Sequence, residues 1–302
     1  MAITTSNFAK LLWPGINSIY GKAYDEHSVE YTGLFDEYKS SKAFEEDLGV
    51  SSFGMAMTKD EGGSISYDEE NQAFLTRYNH VVYGLGFVIT REMVEDDQYG
   101  VVGDRRSRAL AFSMRQTKET VAANVYNRAF DSGYTGGDGK EMCATDHLNH
   151  AGGTWSNELA TAADLSEASL EQACIDIMQY TNDRGLKISV MPQSLIIPTQ
   201  LAFEAERILQ TPYRVGTADN DINALKQMGK FPGGVKVNHY LTDSDAWFIK
   251  TNVQDGLKCF NRRAMGFSID NDFDTENAKF KATERYAFGW TDPRAIFGSP
   301  GA

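Results

Sequence analysis

Cysteine is scarce in this chain: Cys143, Cys174 and Cys259 are the only three among 302 residues. At least one must stay unpaired within a molecule, and no Cys-x-x-Cys pair exists, so neither a disulfide framework nor a zinc knuckle is expected. Histidine is nearly as rare, with five residues and no arrangement suggesting a triad. No basic-then-apolar leader opens the sequence, and no run of about 18 apolar residues could span a membrane as a helix. Basic residues are the minority, 29 against 42 acidic, for a net charge of −13. That balance excludes a protein whose whole surface grips nucleic acid, but not a container that holds it. The remaining composition, 41% hydrophobic and 24% charged, is that of an ordinary globular protein, with length for one large or two modest cores.

Nucleotide and nucleophile motifs are missing as well. Gly84-Leu85-Gly86 begins a dinucleotide fingerprint, but its third glycine position is Ile89 and no helix follows. Those glycines are read as flattening or kinking a strand. Gly139-Lys140 is followed by Glu141, and the upstream glycine of a phosphate loop is Tyr134. No Gly-x-Ser-x-Gly elbow occurs. Cys143, His147 and His150 fall within eight residues, yet zinc would want a fourth ligand, and His147 is better read as anchoring its loop. Asp270, Asp272 and Asp274 have the spacing of a calcium loop, but Thr275 stands at its glycine position and Lys281 at its terminal glutamate. An exposed acidic turn is the simpler reading. No cofactor, metal or catalytic residue is therefore expected, although an enzyme built on scattered carboxylates leaves no motif.

What the chain does contain is architecture. From Asp164 to Leu209 it reads DLSEASLEQACIDIMQYTNDRGLKISVMPQSLIIPTQLAFEAERIL. Ser166 caps a helix with Leu170, Ala173, Cys174, Ile177 and Thr181 at helical spacing, and Gly185 is placed to stop it. Ser194–Ile197 forms a strand, and Pro198 opens a second helix carrying Leu201, Ala205 and Leu209. Asp104 to Phe130 is the longest helical signal, with no internal glycine or proline and a seam of Leu110, Met114, Val121, Val125 and Ala129. Asp104 would cap it and Gly133 end it, giving a rod of roughly 40 Å. Ahead of it, Ala73 to Arg91 reads as one strand far beyond the usual length, a limb of a projecting hairpin that expects a neighbour. Residues 1–50 hold too few contiguous apolar side chains for a core of their own and read as an arm lying over other surfaces, in the same subunit or the next. Near the end, Val235, Val237 and Leu241 pair with Ala246–Lys250 across the turn Thr242–Asp245, and Leu257–Ile269 and Ala278–Trp290 are further strands. Gln210 to Pro232 is a polar loop with one helical turn near Ala224.

That central stretch resembles, in residues and order, the core of tailed-bacteriophage major capsid proteins of the Hong Kong 97 type. CATDHLNHAGGTWSNELATAADLS (Cys143–Ser166) is similar to the His, Gly-Gly, Asn lead-in of Mu-like major head subunits. KFKATERYAFGWTDPRAIFGSPG (Lys279–Gly301) looks like the closing strand and Asp-Pro turn of the same family. The resemblance implies an α+β fold in five pieces: an N-terminal arm (1–50), an extended loop (51–97), a peripheral domain (98–188) with a spine helix (104–131), an axial domain (189–275) and a closing strand of the peripheral domain (276–302). It implies a major head subunit, found in the virion capsid and assembled in the host bacterial cytoplasm, forming hexamers and pentamers of an icosahedral shell around double-stranded DNA. The implied partners are further copies of the chain, a separate scaffolding protein, a portal and in some shells a decoration protein. Because the sequence starts at the arm, no removal of a large N-terminal domain is expected. A bacterial nanocompartment shell shares the fold and stays open, as does a cytoplasmic enzyme of unknown chemistry.

Two sets of contact residues follow. In some capsids of this type a loop lysine joins an asparagine of the next subunit, which would single out Lys59, with Asn271 or Asn277 as its partner. Charge supplies the second set. Residues 51–100 hold three basic and nine acidic side chains, and 101–131 six basic and three acidic. The expectation is that Asp68, Glu69 and Glu70 of one subunit rest on Arg105, Arg106, Arg108 and Arg115 of its neighbour.

Overall fold

The computed structural model describes residues 18–96, 101–213, 221–272, 275 and 277–302. Helix α1 (18–26) and a 3-10 turn at Tyr31–Gly33 lead into β1 (Asp36–Lys39), β2 (Phe44–Val50), β3 (Gln72–Asn79) and β4 (Val81–Ile89). Helices α2 (Arg91–Asp96) and α3 (Val101–Asn127) follow, then the short strands β5 (His147–Leu148) and β6 (Thr154–Trp155) and helix α4 (Glu167–Met178). Strand β7 (Pro192–Pro198), helices α5 (Ala202–Gln210) and α6 (Ala224–Gln227), and strands β8 (Val235–Asn238), β9 (Trp247–Thr251), β10 (Leu257–Asn271), β11 (Ala278–Trp290) and β12 (Ile296–Ser299) complete the chain. Two four-stranded sheets result, ordered β1-β10-β11-β4 and β12-β9-β7-β8, with β2–β3 as a separate hairpin.

Helix α3 is uninterrupted for 27 residues, and from Asp104 onward it holds neither glycine nor proline; Gly103 stands in its first turn. Its boundaries differ from the expected 104–131. Asp104 lies in the first turn, paired with Arg108, and does not cap the helix, while residues past Asn127 turn away. Its buried face is Ser107, Leu110, Ala111, Met114, Arg115, Lys118, Glu119, Ala122, Ala123 and Tyr126, a strict three-and-four repeat. Val121 and Val125 flank this face half-buried.

The three charges in that face are all met. Glu119 accepts the backbone N–H of Glu30 at 3.2 Å and of Tyr31 at 2.9 Å. Arg115 donates to the Tyr24 carbonyl from Nε (3.3 Å) and Nη2 (3.1 Å), its guanidinium 3.8 Å above the Tyr24 ring. Lys118 donates to Asn261 Oδ1 at 3.2 Å and lies 3.9 Å from the buried Glu284 carboxylate. These contacts draw residues 24–31 onto the subunit's own helix. Tyr20, Ala23 and Tyr24 pack with Leu110, Ala111, Met114 and Ala282, and Tyr31, Leu34 and Phe35 join the cluster of Tyr126, Phe248 and Leu257. Of the two surfaces open to the arm, its own subunit or the next, Tyr20 to Phe35 lie on their own subunit, where apolar side chains spaced singly in sequence converge on one helix. Residues 1–17 lie outside the described residues.

The single strand expected over Ala73–Arg91 is two strands in different sheets. His80 breaks it: its ring is buried, Nε2 lies 3.0 Å from Ser40 Oγ, and its carbonyl accepts Arg285 Nε at 3.4 Å. β3 pairs antiparallel with β2 from Phe44↔Asn79 to Val50↔Gln72, so the hairpin begins before residue 51. β4 instead pairs with β11 from Val81↔Tyr286 to Ile89↔Ala278. Glycine at 86 lets these two strands close, since a Cβ there would stand 2.5 Å from the Phe280 carbonyl oxygen.

The second sheet carries its helices on one face. Leu170, Ala173, Cys174 and Ile177 of α4 share a core with Leu195, Ile197, Ala205, Leu209, Trp247, Ile249 and Phe297. Ser166 caps α4 in a reciprocal capping box with Ser169. The helix ends at Met178, so Gly185 is not its stop; at φ +78° it closes the later turn Asn182–Leu186. β8 and β9 are not partners either. β7 lies between them, parallel to β8 and antiparallel to β9, which is why it is buried at every position but Gln193. The lines expected at 188 and 275 therefore cut packed pairs: α4 belongs to this core, and β10 pairs with β11 over its length.

Asn157 ties both halves together. Its Oδ1 accepts Ala144 N–H (2.8 Å), and its Nδ2 donates to the carbonyls of Met142 (2.8 Å), Pro293 (3.0 Å) and Ile296 (3.2 Å). His147 stands beside it, Nε2 3.0 Å from Asn157 Oδ1 and Nδ1 2.7 Å from Asp138. Gly152 and Gly153, both at positive φ, make the turn between β5 and β6 that brings the two side chains together.

Two outcomes are expected for the unassembled subunit. Asn157→Ala strands several buried partners and should lower stability by about 2–4 kcal/mol in urea unfolding. Burial outweighs the two N–H donors at Glu119 and raises its pKa. A raised carboxyl pKa contributes stability below its unfolded value and loses it as pH rises through the folded value. Stability should therefore decline with rising pH just above the ordinary carboxylate range, and Glu119→Gln should remove that decline.

Candidate assembly interface

The β2–β3 hairpin is apolar where nothing covers it. Phe44, Leu48, Val50 and Leu75 are exposed along the ladder, and beyond it Phe53, Met55, Met57, Ile65 and Tyr67 are 54%, 79%, 78%, 64% and 94% exposed. A lone two-stranded ribbon has no second layer to pack on, so such side chains mark a surface that meets another molecule. Asp68 accepts the N–H of Gly54 (2.7 Å) and of Glu69 (3.0 Å), which hold its carboxyl below the usual range, helped by Arg184 at 3.4 Å. Arg184 also donates to the Glu69 carbonyl at 2.9 Å. The acidic limb is thus fastened to its own subunit, while Lys59 and Glu70 are exposed.

The helix residues expected to meet those acids are distributed differently. Arg105 is exposed, Arg106 Nη1 donates to the Val88 carbonyl at 2.9 Å, and Arg108 pairs with Asp104 at 3.1 Å. Arg115 is a correction: it is 6% exposed and engaged with Tyr24, so it is not a surface contact. Among the described residues no ion pair joins Asp68, Glu69 or Glu70 to Arg105, Arg106 or Arg108 within one subunit. The reading of Ala73–Arg91 as one strand included β4 but did not separate it as the edge of the first sheet, where its outer side has no strand partner among the described residues. The available signal was the absence of any charge or proline from Val81 to Ile89.

The remaining reactive groups are structural. His147 is bonded to Asp138 and Asn157, His150 lies edge-on to Phe74, and burial pushes the Cys143 thiol well above its ordinary range. Among the described residues no three His, Cys, Asp or Glu side chains are grouped to hold a metal. All three cysteines are free and buried. Lys279 donates to Asp272 at 2.6 Å beside the β10–β11 turn; Asp274 lies outside the described residues. Glu30 receives His239 Nδ1 at 2.6 Å and the His239 backbone N–H at 3.0 Å, a tie between the first helix region and the end of β8. No helix among the described residues is long and apolar enough to cross a membrane.

Comparison with known proteins agrees with this architecture. The capsid of a native GTA particle is similar at TM-score 0.56 and 10% identity, over 90% of this chain and 91% of that one. The procapsid of bacteriophage JBD30 is similar at TM-score 0.53 and 13% identity, over 98% and 76%. A virus-like particle from Pyrococcus furiosus is similar at TM-score 0.51 and 11% identity, over 94% and 97%. At such identities the likeness establishes the fold, that of Hong Kong 97-type capsids. No curated protein matches the chain. A family profile described as phage capsid protein matches residues 75–298, which is most of the chain. The chain therefore belongs to the phage capsid protein family, as a structural shell protein.

Proposed function

We propose that this chain is the major head subunit of a tailed phage of the Mu-like group, assembling into hexamers and pentamers of an icosahedral shell around double-stranded DNA. The observation that carries this reading is an exposed apolar hairpin and an open sheet edge in a member of the phage capsid family. One subunit cannot cover either feature, and repeated copies can. The lead-in and closing sequence motifs are what support the Mu-like assignment; in the fold, His147, Asn157 and the Asp292-Pro293-Arg294 turn of those motifs form one bonded unit. Its role is geometric and non-enzymatic. Scaffolding and portal proteins are its proposed partners, with a decoration protein where the shell carries one, and it is assembled in the bacterial host's cytoplasm. The family match favours a viral head over a nanocompartment shell. Negative-stain images of the purified protein test this: large closed particles are expected, containing DNA when made in an infected cell, whereas small particles at every concentration would refute it.

Two further outcomes follow. Limited proteolysis of unassembled subunits should cut first between residues 51 and 71 and leave 18–50 intact, while particles resist. Equal cutting in both states would show that the hairpin has no partner. Exposed ion pairs contribute only about 0.2–1 kcal/mol each, but recur around every ring. Arg105, Arg106 and Arg108 changed together to Glu should leave a folded subunit that assembles poorly. Lys at Glu69 and Glu70, with Asp68 left bonded to Gly54 and Arg184, should partly restore particles, fewer at high salt. Normal particle yield from the triple Glu variant at low salt would exclude this charge match.

A further inference from the structure

Exposed sheet edges are normally guarded by charge, proline, a bulge, shortness or a cover. The other edges here obey that rule. β1 is four residues long and reads Asp-Glu-Tyr-Lys; β8 is as short and carries Lys236; β12 is buried and bridged through Gly298 to Glu158. β4 has none of these guards. It runs nine residues without charge or proline, in unbroken register with β11, and exposes Val82, Leu85 and Val88. One side chain closes its far end, where Arg106 donates to the Val88 carbonyl with Arg105 and Arg108 beside it on α3.

The hairpin tip supplies a matching strand. Phe53, Met55 and Met57 alternate along an exposed segment that is neither helix nor strand in its own subunit, and no backbone–backbone hydrogen bond is made from Met55 to Lys59 among the described residues. Phe53 to Asp60 is seven steps, as is Val81 to Val88. Laid parallel, the two would bring Asp60 and Glu61 to the end held by Arg105, Arg106 and Arg108. The antiparallel direction would carry both acids to the Val81 end, away from those arginines. A subunit's own tip is poorly placed for this. Its acidic limb is fastened to Arg184, and only His80 separates β3 from β4, so the ladder with β2 leads the tip away from β4.

We propose that residues 53–60 of one copy add as a parallel fifth strand to the outer edge of β4 in a neighbouring copy, with Asp60 and Glu61 against Arg105 and Arg108. This rests on the shell reading and specifies how its hairpin is received. Backbone hydrogen bonds would supply the attachment, and the alternating Phe53, Met55 and Met57 its register.

Hydrogen–deuterium exchange of the wild type, unassembled and in particles, tests the pairing without altering it. Alternate amides of 81–89 and amides within 53–60 should both slow at least tenfold on assembly. Protection of β4 without change in 53–60 would mean that another segment or protein fills the edge, and overturns the proposal. Unchanged β4 amides in well-formed particles overturn it while leaving the shell reading intact, and failure to form particles overturns both. As a second measurement, chains carrying Met57→Cys are co-assembled with chains carrying Leu85→Cys and treated with a short bismaleimide. The three native cysteines are buried, so a covalent heterodimer is expected only if the tip reaches β4. Cross-linking of Met57→Cys to Phe112→Cys chains instead would place the tip on the helix and refute the strand addition.

Discussion

The subunit depends on a constraint at the middle of α3: three charged side chains stand in the face that the helix must bury. An unmet charge inside a protein costs several kcal/mol, far more than a surface pair returns. Arg115, Lys118 and Glu119 can be buried only where the Tyr24 carbonyl, Asn261 with Glu284, and the Glu30 and Tyr31 amides stand. Apolar contact alone would tolerate α1 sliding along the helix by a turn. The polar contacts do not, because each acceptor or donor has one place. They register the N-terminal segment, the helix and the β10–β11 sheet against each other, and so fix where β4 and the hairpin leave the subunit.

A second fixed point sits where the two sheets meet. Asn157 holds the loop before α4 to the start of β12, and Arg294, from the adjoining 3-10 turn, donates to the Thr181 carbonyl, Asn149 and Asp183. Its guanidinium lies 4.5 Å from the Trp155 ring centre, and that ring stacks on His147. Two stretches more than a hundred residues apart thus become one bonded block. α3 reaches the same block through Tyr126, which packs edge-on to Phe248 of β9.

Much of this was legible in the sequence where local chemistry decides the outcome. The length of α3, the Ser166 cap, β10 and β11 as strands and the turn near Ala224 each depend on residues close in the chain. The failures share another cause. The buried face of α3 was misread because its charges are met by residues remote in the chain: Arg115 and Glu119 by the segment Tyr24–Tyr31 upstream, Lys118 by Asn261 and Glu284 downstream. Gly185 signalled positive φ correctly, but a turn used it. Nothing at His80 marks a break, since neither glycine nor proline stands there; Ser40 and Arg285 make the corner. β8 and β9 looked like neighbours because a parallel partner between them leaves no local trace. For the candidate site, the acidic and methionine-bearing tip was readable as exposed, whereas Arg115 became internal only through Tyr24.

Those two classes of contact divide the molecule by function. Where partners belong to the same chain, the contacts are polar, directional and buried, and the geometry is set before assembly. Where the hairpin and β4 face outward, the groups are apolar side chains and open backbone, which accept a partner with less demand on angle. A closed shell needs both properties, because its subunits must keep one shape while meeting neighbours at slightly different tilts. Methionine suits the second task, having an unbranched side chain that repacks easily against a changed surface. Arginine at the helix start suits it too, since a long exposed side chain can follow a carboxylate over several ångströms for little change in energy. The rigid block and the adaptable rim are thus assigned by chemistry: paired charges inside, and methionine, glycine and unpaired strand at the boundary.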